Sequence, residues 1–189
     1  MNIANLKSLP FSNKRLTANF ETLKPDLIEF LGQGPYKYSP RNNYTKTLSS
    51  ILKSLLLEGT DLVSDTCFIS VIDVNKAVPY HNNGGRCLAV ILPLKNCENL
   101  YFEHTLEIVP EEILDSIEGF EEDSRFYWCT IAKDYKPTKV FTTRLETPLF
   151  FNLDTFHTEI NCSLKEPAIF LSLRFNGQEE QKIIDSIPE

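Results

Sequence analysis

The sequence predicts a mainly β domain preceded by helices, its strands forming a mostly antiparallel double sheet. Three observations predict it. From residue 66 onward, short runs rich in β-branched and aromatic residues recur at spacings of roughly ten residues, as in a sandwich or barrel. The strongest helical periodicity falls in the first 60 residues, ahead of the strands and not alternating with them, which argues against a parallel βαβ fold. Neither GxGxxG nor GxxxxGKS/T occurs, which removes the common nucleotide-binding folds.

Taken in order, Pro25–Leu31 reads as a short helix. Pro25 suits its first turn, Leu27, Ile28 and Leu31 share a face, and Gly32 ends it. Thr45–Glu58 carries the clearest helical pattern, with Leu48, Ile51, Leu52, Leu55 and Leu56 on one stripe and Gly59 as the stop. Thr66–Val74 then reads as a strand. Arg86–Leu94 is almost continuously apolar, as expected of a strand covered on both faces. Further strands are expected over Asn99–Glu103, Thr105–Val109, Phe126–Ala132, Lys139–Leu145, Pro148–Leu153, Phe156–Cys162 and Ala168–Phe175, with a short helix over Pro110–Ile117. The 189 residues make one domain, 1–189, in which a helical region (1–62) packs on a β core (66–176).

Composition narrows the functional classes. Hydrophobic residues at 42% and charged residues at 24% are ordinary globular values and exclude a disordered chain. The 19 basic and 26 acidic residues leave a net charge of −7, the wrong sign for a binder of phosphate backbones, so no nucleic-acid partner is expected. No apolar run approaches the roughly 18 residues of a membrane span, and Met1–Phe11 lacks a signal-peptide pattern. A soluble, cytoplasmic protein is expected. The five cysteines (67, 87, 97, 129 and 162) are widely spaced with no CxxC; four of them sit in apolar, strand-like runs, where Cys is a small hydrophobe, and inert core thiols in a reducing compartment are expected. Residues 103–123 hold nine acidic and no basic side chains, which reads as a solvated loop and helix; a flap that repels anions or docks on the basic N-terminal region is the sharper alternative.

The chemistry rests on few residues. Only three histidines occur. His81 opens the polar, glycine-bearing turn His81-Asn82-Asn83-Gly84-Gly85-Arg86, at the mouth of the most apolar strand. His157 lies on a late strand, in Phe156-His157-Thr158-Glu159. An early strand end and a late strand can converge at one open end of a double sheet, where two imidazoles can share a metal ion. Local hydrogen bonding by each histidine is the plainer alternative. A shared ion requires the two rings within roughly 8 Å, since each metal–nitrogen bond is only about 2 Å.

His81-Asn82-Asn83 with Arg86, then Leu149–Asn152, His157–Asn161 and Ala168–Phe175, resemble the core of the 2-oxoglutarate- and iron(II)-dependent oxygenases. The chain is most similar to the small, partly viral branch related to prolyl and aspartyl/asparaginyl hydroxylases, over residues 66–176. The resemblance implies a double-stranded β-helix (a jelly roll, cupin-like). It further implies a His-x-Asp…His triad for Fe(II), and a basic residue near the last strand that holds the 2-oxoglutarate carboxylate. His81 then matches the first histidine and His157 the second, while Asn83 stands at the carboxylate position.

That amide is a departure, because an uncharged oxygen is a much weaker ligand than a carboxylate. Weak Fe(II) binding and slow or absent turnover of 2-oxoglutarate are expected, with Asn83→Asp tightening the metal. Glu159 shares the strand face of His157 and is a possible substitute, although an exposed strand carboxylate is its ordinary reading. Asp154, three residues from His157, points the other way. For the co-substrate, Pro167 stands where related hydroxylases have Arg or Lys, which leaves Arg174 and Arg86 as candidates and Tyr101 as a possible hydroxyl donor. The function implied is hydroxylation of a protein side chain or small molecule, with a small-molecule co-substrate and no membrane partner. The alternative is a non-catalytic jelly-roll binding or structural module that has lost the metal site.

Overall fold

The structure, a computed structural model, describes residues 14–33, 66–83, 88–122, 125–132 and 134–174. One helix, α1 (Lys14–Gly32), precedes eleven strands: β1 (Thr66–Ile72), β2 (Lys76–Ala77), β3 (Tyr80–Asn82), β4 (Leu88–Lys95), β5 (Leu100–Thr105), β6 (Leu114–Glu122), β7 (Arg125–Ala132), β8 (Phe141–Arg144), β9 (Leu149–Asn152), β10 (Phe156–Asn161) and β11 (Ala168–Arg174). They form two antiparallel sheets, ordered β1-β11-β4-β9 and β6-β7-β3-β10-β5-β8, with β2 also paired to β10. The mainly β, double-sheet expectation holds.

Strand alternation sorts the core into two layers. On one face of the first sheet, Cys67, Ile69, Leu88, Val90, Leu171 and Leu173 pack against α1. The helix contributes Leu16, Phe20, Leu27 and Leu31, all buried on one stripe, each worth roughly 1.5–3 kcal/mol of transfer free energy. On the other face, Ala89, Ile91, Phe151 and Phe170 meet Leu100 and Phe102 of the second sheet. β4 is thus buried on both faces, which explains its unbroken apolar sequence. Pro93 is accommodated in β4 where the ladder to β11 shifts register, the kind of place where a missing N–H is tolerated.

Several boundaries differ from the sequence reading. Helix α1 begins eleven residues before Pro25, which lies inside it, because Leu16 and Phe20 extend the buried stripe backwards. The expected helix at Thr45–Glu58 lies outside the described residues. Pro110–Ile117 is not a helix: a 3-10 turn at Glu111–Ile113 leads into β6, which pairs with β7 as far as Glu122↔Arg125. The acidic run is therefore largely strand, its backbone bonds satisfied by a neighbour. β5 stops at Thr105, leaving Ile108 exposed in a loop where a strand was expected. β2 and β3 carry no strand signal of their own, since two or three residues are too short to show a period. Cys67 and Cys97 are buried free thiols as expected, but Cys162 is exposed. Among the described residues, no helix is long and apolar enough to cross a membrane.

Candidate metal centre

β10 lies between β3 and β5, and the register of both ladders places His157 opposite His81 on one side and His104 on the other. Directly paired residues point to the same face of a sheet. Because His157 and Glu159 are two apart, Glu159 shares that face and pairs with Phe102, a residue of the inter-sheet core. His81, His157, His104 and Glu159 therefore all face the first sheet. The three histidines of the chain form one row across three strands.

Local hydrogen bonds fix how the two paired rings present themselves. The turn before β10 is held by Asn152, whose Oδ1 accepts from the Asp154 N–H at 2.9 Å and whose carbonyl accepts from the Thr155 hydroxyl at 2.8 Å. The Asn83 N–H donates to Leu153 O at 2.9 Å and ties the end of β3 to the same turn. His157 Nδ1 lies 2.7 Å from Thr155 O, and His81 Nδ1 lies 3.0 Å from Pro79 O. A carbonyl can only accept, so each Nδ1 carries the hydrogen, which leaves Nε2 as the ring atom able to offer a lone pair. This is the arrangement by which proteins orient metal-ligating histidines.

The rings of His81 and His157 have centroids 4.4 Å apart, well inside the distance needed for a shared ion. Phe151 packs edge-on against His157 at 4.9 Å and against His104 at 5.9 Å, while Phe141 stacks on His104 at 5.3 Å. One ligand atom each from His81, His157 and Glu159 lie within 4.8 Å of one another. Two donors on adjacent corners of an ion with bonds of about 2 Å are about 3 Å apart, so modest side-chain rotation closes the set. His157 and Glu159 are buried, and His157 Nε2 and Glu159 Oε2 have no hydrogen-bond partner among the described residues. Burial of bare polar atoms is costly, and a cation satisfies both at once. Two imidazoles and one carboxylate form a set that can hold a divalent metal ion.

Electrostatics agree with neutral imidazole. Burial pushes the His157 ring well below its ordinary 6.5, and the nearby charges of His81, Arg174 and His104 push it the same way. Arg174 comes from the opposite sheet. On β11, Ile169, Leu171 and Leu173 face the helix layer, so Phe170, Ser172 and Arg174 face the second sheet. The Arg174 guanidinium lies over the Phe68 ring at 5.4 Å, and the Ser172 hydroxyl is buried without a hydrogen-bond partner among the described residues.

The structure thus brings together His81, His157 and, across the sheets, Arg174. Asn83 is buried at the end of β3, on the face of His81 by alternation. Tyr101 alternates with the core residues Leu100 and Phe102, so its side chain lies on the outer face and does not reach this group. Arg86 lies outside the described residues. Glu159, expected to be an exposed strand carboxylate, is buried in the group. The His157-x-Glu159 spacing was its signal, and burial was what the sequence could not supply. Ser172, whose hydroxyl faces the same inter-sheet space, carries no signal of its own as a serine in an apolar strand. In comparison with known proteins, no family model matches the chain, and no match emerges among curated proteins.

Proposed function

We propose that the protein is an Fe(II)- and 2-oxoglutarate-dependent oxygenase of the hydroxylase type, carried on a double-stranded β-helix. The observation that carries the reading is the His81–His157 pair, with both Nδ1 atoms against carbonyls and one ring nitrogen of each within 4.8 Å of a buried carboxylate oxygen. Strand order supports the fold. With β2 and the β6–β7 hairpin set aside, eight strands remain in two four-stranded sheets, β1-β11-β4-β9 and β3-β10-β5-β8, a pattern suited to a jelly roll.

Bound Fe(II) would couple the oxidation of 2-oxoglutarate to succinate and CO₂ with insertion of the second atom of O₂ into a substrate C–H bond. The chain's own residues have distinct tasks. His81 and His157 hold the ion through Nε2, with the carbonyls of Pro79 and Thr155 fixing ring orientation. Arg174 faces them from β11, and its planar fork suits the distal carboxylate of the co-substrate, with the Ser172 hydroxyl as a second donor. Phe151 and Phe170 exclude water from the side of the core. The buried free thiols fit a reducing, cytoplasmic setting. The substrate is a protein side chain or a small molecule.

Anaerobic addition of Fe(II) and then 2-oxoglutarate to the protein tests the reading. A weak visible charge-transfer band is expected, and its loss in Arg174→Glu. A protein that binds neither is a non-catalytic module, the reading that the neutral Asn83 favours.

A further inference from the structure

We infer that Glu159, and not the residue at position 83, is the carboxylate of the metal centre, and that the Asn83 amide lies beside a coordination position left open. One strand then supplies both an imidazole and the charge, through His157-Thr158-Glu159. The inference rests on reading His81 and His157 as metal ligands, but it requires neither iron nor 2-oxoglutarate.

Two independent observations carry it. A Glu159 carboxylate oxygen lies within 4.8 Å of the ligand atoms of both histidines. The residue is also 9% exposed, with Oε2 buried and lacking a hydrogen-bond partner among the described residues. A carboxylate in that position opposite Phe102 gains its compensation from a cation.

Strand direction then separates the two positions. β10 runs away from the end at which Arg174 closes β11, from His157 through Glu159 to Asn161, whose amide donates to Ile72 O at 3.0 Å at the other end of β1. β3 is antiparallel to it, so Asn83 lies on the Arg174 side of His81. Glu159 therefore approaches an ion from the Ile72 end of the strands and Asn83 from the Arg174 end. A carboxylate at 83 would add a second negative charge and occupy a position on the Arg174 side. An amide leaves that position to an exchangeable ligand.

Titration calorimetry of the full chain with Zn(II), which is redox-inert, tests this in the natural protein and four variants. Glu159→Gln is expected to bind at least about 100-fold more weakly than the natural chain, beyond the usual effect of an outer-shell change. Asn83→Ala is expected to bind within about threefold of it. Glu159→Gln with Asn83→Asp is expected to recover most of the loss, because the charge returns from the opposite side. Glu159→Asp, with its carboxylate drawn back by one methylene, is expected to lose about tenfold, and reads the same contact should the Gln variant fail to fold by circular dichroism. Wild-type affinity in Glu159→Gln or Glu159→Asp overturns the inference, as does an equal loss in Asn83→Ala. Binding that needs both histidines but not Glu159 overturns it while leaving the metal reading intact. No binding by the natural chain overturns both.

Discussion

His81 stands directly opposite His157 across the β3–β10 ladder, with ring centroids 4.4 Å apart, although 76 residues separate them in the chain. The pair is held from behind by two carbonyls and flanked by Phe151. Such an arrangement orients lone pairs before any ion arrives.

The first prediction separates the three histidines. His81→Ala and His157→Ala should each reduce Zn(II) affinity at least about 100-fold in calorimetry. His104→Ala, which removes a ring packed on Phe141 and Phe151, should lose less than about 100-fold, inside the roughly 10–100-fold scale of outer-shell effects. Equal losses for all three would mean that the row acts through packing alone.

Arg174 gives the second. Arg174→Glu should abolish 2-oxoglutarate binding, measured by calorimetry on the Zn(II)-loaded protein, while leaving Zn(II) affinity within a few fold. Arg86→Glu is the comparison, and the arginine whose reversal is silent is not the anchor. Retained binding in both variants would remove the co-substrate reading.

The third concerns pH. Burial holds His157 neutral in the metal-free fold, its pKa well below 6.5. Above pH 6.5 the ring is neutral in both folded and unfolded chains and adds no pH dependence. As pH falls below 6.5 the unfolded chain takes up a proton that the fold refuses, so stability declines by up to about 1.4 kcal/mol per pH unit until the folded value is reached. Urea unfolding of the metal-free protein between pH 7.5 and 5.5, compared with His157→Gln, should show a steeper decline for the natural chain. Parallel profiles would contradict it.

The fourth is a stability test of the inter-sheet core. Phe102 of the second sheet is buried against two rings of the first, Phe151 at 5.3 Å and Phe170 at 5.5 Å. Phe102→Ala should cost about 3–5 kcal/mol in denaturant unfolding. Because Phe102 pairs with Glu159, Zn(II) affinity should fall as well. A cost below about 1 kcal/mol would mean that the two sheets do not close on this residue.

Much of the fold could be read from local pattern. The apolar run of β4 announced a strand buried on both faces, and the β-branched and aromatic texture of β1, β7 and β11 announced strands, because side-chain period and burial are properties of neighbouring residues. β3 was not legible: three residues carry no period, and its pairing with β10 depends on a partner 76 residues away. The start of β6, within the helix expected over Pro110–Ile117, is not legible for the same reason, since what makes it a strand is its ladder to β7.

At the site, the sequence determined the donor types by itself: three histidines, a carboxylate two residues after the last of them, and an amide two residues after the first. It also determined which of them share a strand face, because alternation is local. Only the tertiary structure decided which donors meet. The register of β10 between β3 and β5 put His157 beside His81, and the closure of the second sheet on the first buried Glu159 and turned Arg174 towards it. Register and burial are sums over pairings distant in the chain, so no single segment of sequence contains them.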